Sequence, residues 1–404
     1  MMAERFNVGG VLLPRPFVIR RLGHFGINVD NSDRSLDFYT RLLGFRMSDP
    51  IDFGARIPVD ERASYGSTSG YFLRHGTDHH SLVLFPRTVV DRLNPHYRTC
   101  PENTTNQITW QVGSLAEIVN GHDWFKNTDR KVLRAGRDVP GSNWHFYPPD
   151  PDGHVNELYY GIEQIGWSGR SKPLQVHQLR HERPPTLPFR SEYAEVNEAI
   201  ANGTSLDSGN RGTDPAPETF DVDGVLLGRP FKVVKVGPIR LFVEDIDKAI
   251  AFYRDDLGLD VTQEVNYLGH RCVFFRANTE HHSLGVYPIA LRAQLDLRQD
   301  TTLLSFGLQV ATYTQLKAAL QFLRSNGVQI KTLPSALFPG MDYQALAIDP
   351  DGHAIQLFYR MDQVGWDGQV RPDQAPIGPP DVWPDAVEPE SDVYKGEVLL
   401  GPFN

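Results

Sequence analysis

Apolar positions recur along this chain with two different periods, and the switch between them outlines the elements. Leu36, Phe38, Tyr39, Leu42 and Leu43 fall at helical spacing and mark an amphipathic helix over 32–43. Asp30-Asn31-Ser32-Asp33 offers capping side chains at its start, and Gly44 is placed to end it. Around this helix, runs rich in β-branched and aromatic residues predict strands at 25–29, 45–48, 71–74 and 79–85. A second set follows: a strand at 107–112, a helix at 115–126, and strands at 131–135, 144–147 and 155–160. Each set reads β-α-β-β-β. Further along, strands at 304–310, 328–332, 344–348 and 354–359 with a helix at 313–326 repeat the second set.

The repetition extends to individual residues. Val8-Gly9-Gly10-Val11-Leu12-Leu13-Pro14-Arg15-Pro16-Phe17 returns as Val222-Asp223-Gly224-Val225-Leu226-Leu227-Gly228-Arg229-Pro230-Phe231. Phe38-Tyr39 with Leu43-Gly44 returns as Phe252-Tyr253 with Leu257-Gly258, and Asp78-His79-His80-Ser81-Leu82 as Glu280-His281-His282-Ser283-Leu284. Asp150-Pro151-Asp152-Gly153-His154 matches Asp349-Pro350-Asp351-Gly352-His353. The offset between partners narrows toward the C-terminus, so the second copy has the shorter loops. This divides the chain into a first domain at 1–171, an arm at 172–220, a second domain at 221–372 and a tail at 373–404. The arm is rich in Pro, Gly, Ser and charge, with one helical pattern at 191–201, and reads as a linker or wrapping segment. The tail is Pro-rich, and its end at 396–403 echoes the opening of each half, which suggests docking.

Composition narrows the class of protein without naming it. The 404 residues are 40% hydrophobic and 22% charged, an ordinary balance for a soluble globular chain. A net charge of -10 argues against nucleic acid or an anionic membrane as partner. No apolar run reaches the roughly 20 residues that span a bilayer. The opening residues lack a secretory pattern, and Cys100 and Cys272 lie in different halves, so free thiols and a cytoplasmic location are expected.

The candidate chemistry lies where the copies differ. His24 follows Gly23 at the head of a strand, and its counterpart is Pro238. Glu157 lies in Val155-Asn156-Glu157-Leu158-Tyr159, with Val155 and Tyr159 on its face, and its counterpart is Gln356. A carboxylate on an inner face needs a cation, because burying an unpaired charge is costly. An outward-facing Glu is the plain alternative, and the change to Gln in the copy favours a role for the charge. In a strand, one of His79 and His80 can face a pocket, where it would serve as acid or base. His145 and Tyr147 share a strand face, and Trp144 and Phe146 are compatible with an aromatic ligand or with core packing. The Asp-Pro-Asp-Gly turns read as structural. No P-loop, dinucleotide fingerprint, nucleophile elbow or His-Glu-x-x-His is present.

These segments resemble the vicinal oxygen chelate superfamily, which includes glyoxalase, bleomycin resistance and extradiol dioxygenase proteins. The likeness is greatest to type I extradiol ring-cleaving dioxygenases, and it covers roughly 17–170 and 231–370. It implies an α+β fold in which tandem βαβββ modules form two curled open-barrel domains. It also implies a metal, Fe(II) first, then Mn(II) or another divalent ion, and an aromatic diol with O2 as substrates. By resemblance His24 and Glu157 are ligands, His80 handles protons, and Tyr147 lies near the ring. The third ligand position falls on Gln107 rather than His, which leaves His80 or His145 open as alternatives, and Asp138 stands where some relatives have a further His. In the second half Pro238, Ser305 and Gln356 occupy the ligand positions, so the metal is expected in the first half, the reverse of the familiar two-half dioxygenases. Two other classes stay open: an O2-independent metal-dependent isomerase or lyase, and a metal-free aromatic-binding module. An exposed sheet edge can support a homo-oligomer.

Overall fold

The structure, a computed structural model, describes residues 5–93, 100, 102–141, 143–211, 217–222, 224–364, 368–370 and 377–387. The echo at 396–403 lies outside the described residues. Each half opens with a small hairpin, β1 (Phe6–Val8) with β2 (Val11–Leu13) in the first. The first-half sheet then uses β3 (Ile19–Val29), β4 (Arg46–Asp52), β5 (Ser69–Arg74), β6 (Leu82–Pro86), β7 (Thr105–Val112), β8 (Ala135–Arg137), β9 (Trp144–Phe146) and β10 (Asn156–Tyr160). The second half repeats the plan with the hairpin β11 (Phe220–Val222) and β12 (Val225–Leu227). Its sheet uses β13 (Val233–Val243), β14 (Asp260–Tyr267), β15 (His270–Arg276), β16 (Leu284–Pro288), β17 (Leu303–Val310), β18 (Ile330–Lys331), β19 (Gln344–Ile348) and β20 (Ala354–Phe358). The sheet orders are β4-β5-β6-β3-β7-β10-β9-β8 and β14-β15-β16-β13-β17-β20-β19-β18. Each is two βαβββ modules joined through an antiparallel central pair, β3 with β7 and β13 with β17. No helix among the described residues is long and apolar enough to cross a membrane.

The central strand β3 begins six residues before the expected 25–29, and beyond Arg20 and Arg21 it is buried throughout. Both of its faces are covered, so it lacks the alternation that would have marked its full length. The helix expected at 32–43 is α-helical only over Ser32–Asp37, capped by the Asn31 side chain, and widens to a π-helix at Phe38–Leu42. The extra residue in that turn leaves Phe38, Tyr39 and Leu42 all buried. The second half makes the same change at Ile246–Ile250 and Ala251–Asp256. The strand expected at 131–135 is displaced to β8, and that expected at 328–332 shrinks to β18. A helix at Arg87–Leu93 went unread because Val89 and Val90 carry a β signature.

The halves share one apolar core, in which Phe25 meets Phe306 with ring centres 4.6 Å apart. Reciprocal polar contacts close the seam. Tyr39 donates to Asp349 and Tyr253 to Asp150, both at 2.9 Å, so the turn of each half receives a tyrosine from the other. Arg229 donates to the carbonyls of Thr40 and Arg41, and Arg15 to that of Asp255. The Asp-Pro-Asp-Gly turns, expected only to mark hairpins, are therefore contact points between halves. The arm packs on the first half. Arg137 and His181 exchange backbone hydrogen bonds of 2.8 and 2.9 Å, which covers the β8 edge, and Arg137 meets Glu195 in a buried ion pair at 2.9 Å. Trp383 from the tail packs on Tyr343 and Tyr313.

Candidate active site

Three adjacent strands bring three predicted residues together. Gln107 on β7 lies opposite Gly26, and Thr109 on β7 lies between His24 of β3 and Glu157 of β10. His24 Nε2 is 3.4 Å from Glu157 Oε2 and 3.2 Å from Gln107 Nε2. His24 and Glu157 are closed off from solvent, at 0% and 1% exposure. Gly23 is required beside them: a β-carbon there would lie 2.1 Å from the Tyr159 hydroxyl oxygen.

Glu157 is held at both oxygens. Thr109 Oγ1 donates to Oε2 at 3.2 Å, and Asn143 Nδ2 donates to Oε1 at 3.0 Å. Burial raises the Glu157 carboxyl, but the hydrogen bond and charge of His24, followed by the charges of His145 and Arg134, bring it down to about 2. It is therefore a buried carboxylate at neutral pH. Buried His24 Nδ1 has no hydrogen-bond partner.

His79 and His80 precede β6 instead of lying within it, and this corrects the expected strand at 79–85. Freed from strand alternation, the two rings form a chain. His79 Nε2 is 2.8 Å from Asp49 Oδ2, and His79 Nδ1 is 2.9 Å from His80 Nδ1. With Asp49 as acceptor, His79 carries its proton on Nε2 and accepts at Nδ1 from His80 Nδ1–H. This assigns a lone pair to His80 Nε2. Burial, then the neighbouring His24 and His79, push the His80 pKa well below the ordinary histidine value, so the ring is neutral.

A cavity of about 280 Å³ opens onto these groups, near the lower end of small-molecule sites at ~300–1,000 Å³. His80, Gln107, His145, Tyr147 and Glu157 all line it, so five of the six predicted side chains share one space, and His24 touches two of them, Glu157 and Gln107. His145 and Tyr147 rings are 4.8 Å apart. His145 Nδ1 bonds Asn143 Oδ1 at 3.0 Å, and burial lowers its pKa to about 3. Asp138 also lines the cavity, paired with Arg134, whose guanidinium lies 4.2 Å from the Tyr147 ring centre. Phe53, Phe72 and Phe85 form apolar wall, and Arg56, Arg134 and Arg180 add positive charge toward solvent. Trp144 and Phe146, considered for ligand contact, face away: Trp144 packs on His181 and Phe189, and Phe146 on Phe17 and Phe125.

Sequence reasoning missed Asn143, Thr109, Asp49 and Arg180. Asn143 carried a weak signal, two residues before His145 and so on the same strand face. Asp49 carried another, because its counterpart in the second copy is the uncharged Gln263. Arg180 reaches the cavity from the arm, and no local pattern marks it.

In the second half, Ser305 pairs with Arg240, and Gln356 lies opposite Gly307, the register of Gln107 and Glu157 in the first. Among the described residues, no group of three His, Cys, Asp or Glu is placed to hold a metal ion in either half. The first-half cluster of His24, Glu157 and Gln107 has an amide as its third member.

The family model described as "Glyoxalase/Bleomycin resistance protein/Dioxygenase superfamily" matches residues 21–158 and 235–357. Biphenyl-2,3-diol 1,2-dioxygenase of Paraburkholderia xenovorans (strain LB400) is 28% identical over 164 residues, which are 40% of this chain and 46% of that protein. Catechol-2,3-dioxygenase of Bacillus subtilis (strain 168) is 23% identical over 266 residues, 66% of this chain and 73% of that protein. The chain thus spans about half the length of the biphenyldiol enzymes it matches, 46% and 45% in two cases. Among solved structures, a catechol 2,3-dioxygenase superposes with TM-score 0.56 at 16% identity, covering 96% of this chain and 100% of that one. A Mn(II)-bound glyoxalase from Novosphingobium aromaticivorans superposes with TM-score 0.53 at 14% identity, covering 87% and 85%. These likenesses establish the curled two-half fold.

Proposed function

Since the chain belongs to the glyoxalase/bleomycin resistance protein/dioxygenase superfamily, we propose that it is an extradiol-type dioxygenase, cleaving a catechol-like ring with O2 at a divalent metal held in its first half. One observation carries this reading: an ionised, buried Glu157 faces His24 and Gln107 at the floor of a cavity that also contains His80. Donors about 2.1 Å from a shared octahedral ion lie roughly 3 Å apart. The 3.2 and 3.4 Å separations fit that spacing. The amide ends of Gln107 are interchangeable, and turning Oε1 toward His24 completes a set of one nitrogen and two oxygens. Fe(II) and Mn(II) both accept such a set.

The bound metal would supply a positive centre that lowers the proton affinity of a diol and brings it beside O2. The chain's own residues do the rest. Phe72 and Val155 bound the cavity on its apolar side and limit water. His80 Nε2, held as an acceptor by the Asp49–His79 chain, takes a phenolic proton and later returns it. Tyr147 and His145 offer hydrogen-bonding edges on the opposite wall, and Asn143 with Thr109 keeps Glu157 aimed at the floor.

Anaerobic purification with elemental analysis, followed by oxygen-electrode assays on catechol and its 3-substituted forms, tests the reading. About one Fe or Mn per chain and oxygen uptake matching loss of the diol support it; a stoichiometric absence of metal with no uptake on any diol overturns it. Gln107 motivates a second reading, an O2-independent metal-dependent isomerase or lyase, because a neutral oxygen donor in place of imidazole is weaker for Fe(II). Turnover under strict anaerobiosis would select that reading.

A further inference from the structure

The second half has not lost polarity at its old site; it has inverted it. Where the first half has Gly26 beside Gln107, the matching position on β13 is Arg240, beside Ser305. The Arg240 side chain is fully buried. Its Nη2 lies 2.8 Å from His282 Nε2 and 3.5 Å from Met341 Sδ, and its guanidinium carbon sits 4.8 Å from the Phe338 ring centre. The Tyr287 hydroxyl also interacts with the guanidinium as a neutral hydrogen-bonding partner, and donates to the Leu337 carbonyl at 2.5 Å. All of these neighbours are neutral. Gln263 Oε1 accepts from His281 Nε2 at 2.8 Å, and His281 Nδ1 meets His282 Nδ1 at 3.0 Å. That chain leaves His282 Nε2 as an acceptor, so it receives the guanidinium proton and carries no positive charge. Burial lowers the Arg240 pKa to about 10, which still leaves it cationic at neutral pH.

Arg240 therefore carries a buried charge for which no ion pair is formed among the described residues. Its Nε and Nη1 have no hydrogen-bond partner, and neither do Ser305 Oγ and Gln356 Oε1. These orphaned atoms belong to one place. Ser305 lies directly across from Arg240, and Gln356 lies opposite Gly307, two residues further along the same face of β17. Gln356 Nε2 donates to Gln344 Oε1 at 3.2 Å, and a swap of both amides would aim a donor inward. An isolated buried guanidinium is costly unless paired, and a water molecule satisfies hydrogen bonds but not charge. We infer that the second half holds a small monovalent anion, of the size of a halide, nitrate or formate, on the guanidinium of Arg240 with the Ser305 hydroxyl and the Gln356 amide. The first half presents a carboxylate to a cation, and the second presents a guanidinium to an anion. This inference stands whether or not the first half carries out the proposed reaction.

The full-length protein is exchanged into gluconate, too large to enter, and titrated with chloride, bromide, nitrate or formate at constant ionic strength and pH. The expected result is a saturable rise in unfolding temperature with each small anion and retention of about one bromide per chain in equilibrium dialysis. Arg240→Met, which keeps the length of the side chain, removes the saturable rise and lowers bromide retention at least tenfold. Ser305→Ala weakens the midpoint severalfold and keeps the stoichiometry. If Arg240→Met does not fold, anomalous scattering from bromide-soaked crystals of the natural sequence decides. A peak within hydrogen-bond distance of Arg240 supports the site. No peak there, no saturable response, or an unchanged response in Arg240→Met overturns it.

Discussion

The two halves share a sheet order, a π-helical turn, a paired histidine and a seam, yet bury opposite charges on the matching sheet face: Glu157 in the first, and in the second Arg240, which stands where the first has Gly26. The first half places Glu157 at a cavity with His24 beside it, and has a glycine at position 26. The second has Gln356 and Pro238 at the matching positions and a buried arginine at position 240. What both halves keep is different in kind. Tyr39 and Tyr253, Asp150 and Asp349, Arg15 and Arg229 all serve the contact between halves. Arg21–Asp78 and Lys235–Glu280 make equivalent ion pairs in the two sheets. Residues that hold the halves together are the same in both copies, as is the histidine pair, whereas His24, Gln107 and Glu157 give way to Pro238, Ser305 and Gln356.

That contrast is broken most severely by making the first half copy the second at the carboxylate. Glu157→Gln should lose stoichiometric metal and reduce turnover on the order of a thousandfold, read by elemental analysis and oxygen uptake. Restoring Gln356→Glu alone in the other half should produce no activity, because Arg240 would pair with the new charge. Next in size, His80→Gln should lower kcat by about a hundredfold or more with little change in KM, since it removes the proton acceptor and leaves the floor intact. Asp49→Gln, which copies Gln263, should cost no more than about tenfold in kcat, because an amide oxygen still accepts from His79.

Acid sensitivity sharpens the comparison further. Burial would raise the Asp78 carboxyl, but Arg21 and the Gln164 amide hold it below its ordinary value. A depressed carboxylate stabilises the fold fully above its unfolded pKa of about 3.9, and loses that contribution as pH falls through the lower folded value. Asp78→Asn should therefore remove about 2 kcal/mol at neutral pH and flatten the acid limb of the unfolding temperature below about pH 4. The smallest effects belong to the seam hydroxyls. Tyr39→Phe and Tyr253→Phe should each cost about 1 kcal/mol in urea unfolding, by similar amounts, as their mirrored roles require.

Periodicity and duplication made the β-α-β-β-β order legible, and the replacement of Glu157 by Gln356 singled out the carboxylate. The replacement of His24 by Pro238 marked the histidine in the same way, and Gln107 came from the family resemblance. The rest depended on contacts that no local pattern encodes. A π-turn inserts one residue into a helix whose apolar stripe looks regular from outside, so the break at Phe38 went unread. β8 forms at Ala135–Arg137 because His181, far along the chain, pairs with Arg137. Asn143 and Thr109 grip Glu157 from neighbouring strands, and Asp49 sets the His80 tautomer from a strand where an acidic residue reads as ordinary surface.

The exchanged tyrosines have a consequence for how this chain can be taken apart. A half expressed alone keeps Asp150 or Asp349 without the hydroxyl that completes it, and bares the aromatic face around Phe25 or Phe306. It should not behave as an autonomous module but recruit the complementary half from solution. Severed within the arm, the two pieces should reassociate as a stoichiometric complex, and at high concentration intact chains are candidates for trading halves with one another.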